Sequence, residues 1–209
     1  MPTARPQDVL LFWFGPKPYT PASVQQHSRY WFGSSSAPEL TPQADELIRQ
    51  RFEETMRAAE NGELDAWDSS PRRRLALIVL LDQFSRHFYR GSERAYARDH
   101  QALKLSVSGL LFGADAALDP LERIFFYMPL QHAESLDVQD ESVAAFRRLL
   151  DEAPGELRGT FEEAHKDAIK HHDVIALFGR FPHRNVQLGR ASTHQEIEWL
   201  ANGGERFGS

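Results

Sequence analysis

The residues best suited to chemistry lie near the end of the sequence, between Val174 and Gln195. This stretch holds three arginines and two histidines but no acidic residue, and five of the chain's nine histidines lie between residues 165 and 194. Guanidinium groups bind carboxylates and phosphates through paired hydrogen bonds, and a helix N-terminus capped by Thr193 would add free backbone N–H groups. The pattern predicts an anion-binding loop, whose candidate contacts are Arg180, His183, Arg184, Asn185 and Arg190.

A structural interpretation of the same loop stays open. Its arginines could cap carbonyl groups at helix C-termini and pair with Asp82, Glu134 or Glu196. Networks of ion pairs commonly produce clusters of this kind without any ligand.

A second candidate cluster follows a strongly apolar run. Asp82 and Arg86 are four residues apart, so they can pair along one helix face, and Arg90 extends the same row. Such charges persist beside apolar residues only when they are partnered. The row is interpreted either as a buried structural ion pair or as the floor of a ligand pocket that Asp82, Arg86 and Arg90 would line.

Three further residues could act on protons or hold a metal. His132 or His171 could be a general base, and Glu134 could orient it. The same three residues could form a three-ligand metal site if the fold brings them together. A carboxylate-bridged two-metal bundle is disfavoured, because only one Glu-x-x-His step, from Glu162 to His165, is found.

Several function classes are disfavoured by composition. There is no cysteine, no nucleophile elbow and no glycine-rich phosphate loop, so the sequence indicates no cofactor. A formal charge of −6 argues against a general nucleic-acid binder. No apolar stretch reaches the ~20 residues that span a bilayer, and no signal-peptide pattern is present, so we expect a cytoplasmic protein without membrane contact.

The element that must position these residues is a central helix. The run Leu75 to Leu81 is apolar on every helical face and therefore needs neighbours all round. Ser70 and Pro71 suit its start, and Gly91 suits its end. We also predict a long helix from Ser92 to about Phe112, and a break or kink at Pro129.

The whole chain is predicted to be all-α, an antiparallel array of about eight to ten helices, because no polar and apolar alternation typical of strands is found. The sequence predicts one domain over residues 1–209, with a loop at 33–40 and a flexible tail of the last ~6 residues.

Four segments resemble a known family in their order along the chain. They are FxxxxxxAxxGELDAW (52–67), LALIVLLDQFSRHFYRG (75–91), ERIFFYMPLQHAES (122–135) and FGRFPHRNVQLGRASTHQEIEWL (178–200). They look like the bacterial domain-of-unknown-function family numbered 924. The resemblance implies a tetratricopeptide-like α-helical superhelix and implies no reaction.

Two functional hypotheses follow. In the first, a helical scaffold binds a partner protein, a peptide or an anionic small molecule through an Arg/His-rich pocket. In the second, an enzyme acts on an anionic metabolite by His/Glu acid–base catalysis, with arginines stabilising negative charge. The second predicts that Arg86, His132, Glu134, His171 and Arg184 converge on one concave pocket.

Overall fold

The computed structural model describes residues 3–31 and 40–207, and within them it contains nine helices and no strand. The helices are α1 (Pro6–Phe14), α2 (Pro21–Trp31), α3 (Leu40–Glu60), α4 (Pro71–Ile78, continued by a π-helical part Val79–Phe84 and a last turn Ser85–Phe88), α5 (Asp99–Leu111), α6 (Pro120–Gln131), α7 (Leu136–Asp151), α8 (Arg158–Phe178) and α9 (His194–Ala201). The all-α prediction with eight to ten helices is confirmed, whereas the tetratricopeptide-like superhelix stays a prediction. The predicted loop at 33–40, apart from Leu40, and residues 208 and 209 of the predicted tail lie outside the described residues.

Helix α4 runs through the centre of the core, as its apolar sequence predicts. Every side chain from Leu75 to Leu81 is at most 3% exposed. The ring of Phe84 lies 5.4 Å from the ring of Trp13 in α1 and 5.0 Å from that of Phe52 in α3. Burying each large apolar side chain is worth about 1.5–3 kcal/mol, so this helix fixes the positions of its neighbours.

The second half of α4 departs from regular α-helical geometry. Its π-helical part includes Asp82 and Gln83, both buried among apolar neighbours. The wider turn was not predicted, since residue spacing does not distinguish it from an α-helix. Insertions of this kind inside α-helices are frequent at functional sites.

Two predicted helix boundaries are wrong, and both corrections matter for the site. The helix expected from Ser92 begins only at Asp99, after a separate 3₁₀ turn at Glu93–Tyr96. Helix α6 continues through Pro129 to Gln131, so the predicted break is absent; the apolar packing of this buried last turn offsets the backbone hydrogen bond that proline cannot donate. His132 is consequently the C-cap of α6.

The C-terminal half brings the end of the chain back to α4. Helices α6, α7 and α8 are joined by short connections and pack in sequence, as antiparallel neighbours do. After α8, the 3₁₀ turn Pro182–Arg184 contacts the end of α6, where Arg184 donates to the backbone carbonyl of His132. Among the described residues, no helix combines the length and apolar character needed to cross a membrane.

Candidate functional site

A pocket of about 540 Å³ opens where the polar end of α4 meets the end of α6, one side of α8 and the turn at Pro182–Arg184. We call it the histidine–arginine pocket. Six of the candidate residues predicted from the sequence line it, namely Arg86, Arg90, His132, His171, His183 and Arg184.

Asp82 lies behind His132 and holds its ring. The Nδ1 atom of His132 lies 2.7 Å from Oδ1 of Asp82, whose second oxygen accepts a hydrogen bond from Gln83 at 2.5 Å. Asp82 is fully buried, which by itself would raise its pKa, but His132 and Arg86 hold the pKa of this carboxylate below its usual value. An ionised Asp82 can only accept, so Nδ1 of His132 carries the proton.

The Nε2 atom of His132 is therefore the free nitrogen of the ring. Burial lowers the pKa of His132, with Arg86 acting in the same direction and Asp82 opposing it. The Nε2 atom has no hydrogen-bond partner among the described residues, yet it is not sealed from solvent. At neutral pH it offers a lone pair to the pocket.

Two arginines from distant parts of the chain meet at one carboxylate. Asp99 accepts two hydrogen bonds from Arg86 at 3.1 Å each, and Arg184 Nη1 reaches the same carboxylate at 3.3 Å. Arg184 also donates to the backbone carbonyl of His132 at 3.1 Å, and its guanidinium lies over the ring of Tyr96. Arg86 has a second acidic neighbour in Asp82, at 3.4 Å.

Arg184 is less completely neutralised than Arg86. Among the described carboxylates, Asp99 is its one ion-pair partner, and Arg86 shares it. Burial lowers the pKa of Arg184, and its Nε atom is buried without a hydrogen bond. By contrast, Asp99 and Asp82 raise the pKa of Arg86 in spite of burial.

Two more histidines complete this wall. His171 donates from Nδ1 to the carbonyl of Asp167 at 2.7 Å, which leaves its Nε2 as an acceptor, and its ring centroid lies 6.0 Å from that of His132. Burial, together with His132, Arg184 and His183, holds the pKa of His171 well below its ordinary value. Burial and Arg184 lower the pKa of His183 to about 3. His132, His171 and His183 are thus neutral at pH 7.

The pocket lining also includes a stretch near the C-terminus that was not predicted from the sequence. Lys170 lies between Asp167 at 3.6 Å and Glu205 at 3.4 Å, and Phe207 stacks on His171 with ring centroids 3.7 Å apart. We predicted a flexible tail over this stretch, so it carried no functional expectation. The signal available in the sequence was the aromatic residue Phe207, which lies among glycines near the C-terminus.

The remaining candidates do not line the pocket. Arg190 donates to Glu134 at 2.6 Å, and Glu134 also accepts from the backbone N–H of Phe181. Arg180 and Asn185 both donate to Glu196, which is almost completely buried at the start of α9. These residues therefore fit the structural interpretation, because the carboxylates of Glu134 and Glu196 are already paired with arginines of the same chain.

Arg90 occupies an intermediate position. It lines the pocket, but its guanidinium makes two hydrogen bonds to Asp45, at 2.7 and 2.9 Å. Asp45 also bonds to His87 at 2.7 Å. Although burial opposes it, Arg90 and His87 lower the pKa of Asp45 to about 2.

The metal alternative does not fit the side-chain positions. In the part of the chain that the structure describes, no group of three or more His, Asp or Glu side chains could hold a metal ion. Glu134, the carboxylate proposed beside His132 and His171, is paired with Arg190 instead.

Asp99 is the residue of this candidate site that was missed most clearly in the prediction from the sequence. It is the carboxylate that joins the polar end of α4 to Arg184. Its position at the first residue of α5 was hidden, because the helix was expected to begin at Ser92.

Comparison with known proteins agrees with this fold. A family model described as a bacterial protein of unknown function (DUF924) matches residues 9–204. A solved structure of a protein of unknown function from Agrobacterium tumefaciens is similar, with a TM-score of 0.76 and 29% sequence identity over 95% of this chain and 97% of that chain. No curated protein matches this chain.

Proposed function

The chain belongs to the bacterial DUF924 family, and we propose that its histidine–arginine pocket binds a small molecule that carries a carboxylate or phosphate group. The observation that carries the proposal is the sharing of Asp99 by Arg86 and Arg184. A buried guanidinium whose one carboxylate partner is shared with a second arginine is stabilised by binding a further anion. Charge-assisted hydrogen bonds of this kind are stronger than hydrogen bonds between neutral groups.

The positions of free donors support the same ligand class. The Nη2 atom of Arg184 has no hydrogen-bond partner among the described residues and is not sealed from solvent. Gln131 adds an amide group to the pocket lining, whereas the amide N–H groups of Gln83 are already donated to Asp82 and Met128. The two carboxylates in the lining, Asp167 and Glu205, are both paired with Lys170, which offsets their repulsion of an anion.

The size of the pocket favours a small molecule over a protein or peptide partner. Its volume of about 540 Å³ falls inside the roughly 300–1,000 Å³ that is usual for small-molecule sites. The charged groups lie inside this concavity, at side chains that are mostly buried, where a flat protein surface would not reach them.

Thermal unfolding in the presence of anions tests the proposal. Inorganic phosphate, acetate and succinate are added singly at constant ionic strength, together with chloride as the reference anion. A ligand that binds only the folded state stabilises it by about 2.7 kcal/mol at 100 times its Kd. We expect phosphate or at least one carboxylate to raise Tm in a saturable manner.

Two variants separate the pocket from general surface charge. Arg184→Gln should abolish the increase in Tm, while Arg147→Gln, which removes an exposed arginine paired with Asp151 in α7, should leave it unchanged. Because Arg184→Gln can itself lower stability, the compared quantity is the ligand-dependent increase. Equal increases in both variants, or no increase with any anion, would contradict the proposal.

A further inference from the structure

We infer that the histidine–arginine pocket is also a hydrolytic site, in which His132 is the general base that activates a water molecule against an anionic substrate. This inference rests on the proposed function, because the anionic group of the substrate would be held by Arg184. Asp82 is assigned as a positioning residue, which acts through His132.

The first support is the arrangement of Asp82 and His132. The buried carboxylate accepts a hydrogen bond from the Nδ1–H group, with an Nδ1 to Oδ1 distance of 2.7 Å, and so fixes both the tautomer and the orientation of the ring. The opposite nitrogen, Nε2, is free of protein partners among the described residues and is reachable from the pocket. A carboxylate behind an imidazole stabilises the positive charge that the ring acquires when it takes a proton.

The second support is the presence of two acceptor nitrogens beside the same cavity. His171, like His132, has its proton on Nδ1 and a lone pair on Nε2, and the two ring centroids are 6.0 Å apart. One water molecule has two donor hydrogens and can satisfy both acceptors. A substrate C–H group would use only one of them, so the pair favours water as the reacting group.

The third support is the chemistry of the pocket lining. Among the described residues that line it there is no serine, threonine or cysteine. No lining serine, threonine or cysteine is therefore available to form a covalent acyl-enzyme intermediate. The amine of Lys170 is paired with Asp167 and Glu205, so water activated by a base is the nucleophile that we infer.

The proposed step balances without any further reactant. His132 Nε2 takes one proton from water while the water oxygen forms a bond to the carbonyl carbon of an ester, and the carbonyl oxygen becomes an oxyanion. Arg86 lies at the same pocket and stabilises this negative charge, while Arg184 holds the anionic group of the substrate. The oxyanion then reforms the carbonyl, the bond to the alcohol breaks, and the alcohol leaves with the proton from His132.

The test uses an activated ester that carries a carboxylate, mono(4-nitrophenyl) succinate, with uncharged 4-nitrophenyl acetate as its matched comparison. The full chain should hydrolyse the succinate ester faster than buffer does and in preference to the acetate ester. His132→Asn, which keeps a donor toward Asp82, should lower the rate by about 100-fold. Arg147→Gln should hydrolyse it at the wild-type rate.

The role of Asp82 is tested by the pH profile. In the wild-type chain the rate should rise with pH as His132 loses its proton and should be level by pH 7. The groups that set this profile are Asp82, Asp99, Arg86, Arg184, His171 and His183. Asp82→Asn should lower the rate and move the rise to lower pH, because the carboxylate favours the protonated ring; a structural role alone would not move the profile.

A measurement on the unaltered chain avoids dependence on variant folding. In ¹⁵N-histidine NMR at pH 7, His132 should have a protonated Nδ1 and an unprotonated Nε2. The opposite tautomer, or hydrolysis no faster than in His132→Asn, would overturn the inference. If succinate binds to Arg184 without hydrolysis of its ester, the hydrolytic inference alone fails; if no anion binds, the proposed function fails as well.

Discussion

Asp82 Oδ1 lies 2.7 Å from Nδ1 of His132, although the two residues are 50 positions apart in the sequence. Asp82 belongs to the π-helical part of α4, and His132 caps the C-terminus of α6. The contact therefore ties the polar end of the central helix to the wall of the pocket, and both stability and chemistry depend on it.

Replacing Asp82 by Asn should destabilise the fold. The substitution leaves Arg86 and His132 with one fewer buried anion, and breaking a buried pair by removing one partner typically costs about 3–5 kcal/mol. Urea unfolding measures the loss. Asp151→Asn, at an exposed pair in α7, should change stability by less than about 1 kcal/mol; a similar small effect of Asp82→Asn would show that the buried contact is not stabilising.

Stability should fall as the solution is acidified below pH 6.5, and His183 should account for part of that fall. Its folded-state pKa is about 3, because burial, Arg184, His132, Arg206 and Arg190 disfavour the charged ring. The unfolded chain, with a histidine pKa near 6.5, binds the proton first. Between these two values each such histidine lowers the free energy of unfolding by about 1.4 kcal/mol per pH unit.

The variant His183→Gln isolates this contribution. The slope of unfolding free energy against pH, measured by urea denaturation between pH 6.5 and 5, should be shallower than in the wild type by about half a proton at pH 6.5 and about one proton at pH 5. Leu111→Gln, at an exposed leucine of α5, introduces the same side chain without removing a titratable group, so as the control it should keep the wild-type slope. An unchanged slope in His183→Gln would contradict the buried, neutral assignment.

Arg190→Gln should affect stability and leave anion binding intact. Arg190 bonds to Glu134 and to the carbonyl of Phe181, outside the pocket. Loss of these partly buried hydrogen bonds should cost about 1–3 kcal/mol. The phosphate- or carboxylate-dependent increase in Tm should persist, and its loss would mean that the anion site extends to Arg190.

The sequence carried enough information to predict the central helix and one part of the site. The residues from Leu75 to Leu81 are apolar on every face of the helix. Such a helix is expected in the core, where other elements surround it. The pairing of Asp82 with Arg86 followed from their separation of four residues. Both predictions use local spacing, which a sequence displays directly.

What the sequence could not provide was the choice of partners over long distances. Arg180, Arg184 and Arg190 have similar surroundings in the sequence, yet only Arg184 enters the pocket. The path of the chain after α8 brings Arg180 to Glu196 and Arg190 to Glu134. Asp99 lies 85 positions from Arg184, and nothing in the spacing connects them.

Phe207→Ala should raise the pKa of His171. The phenyl ring of Phe207 stacks on His171 and contributes to the burial that disfavours its charged form. The neighbouring His132, Arg184 and His183 remain, so the rise should be partial. Histidine NMR titration measures it, and Phe112→Ala, at an exposed ring beyond the end of α5, should leave the pKa of His171 unchanged. No shift in Phe207→Ala would contradict the contact.

The location of the anion is tested most directly by anomalous diffraction from crystals equilibrated with selenate, an oxyanion of the same charge and shape as sulfate. The proposed function predicts a selenium peak inside the histidine–arginine pocket, with an oxygen within hydrogen-bond distance of Arg184 Nη2. Density only at exposed arginines such as Arg147, or no peak in the pocket at concentrations that raise Tm, would contradict it.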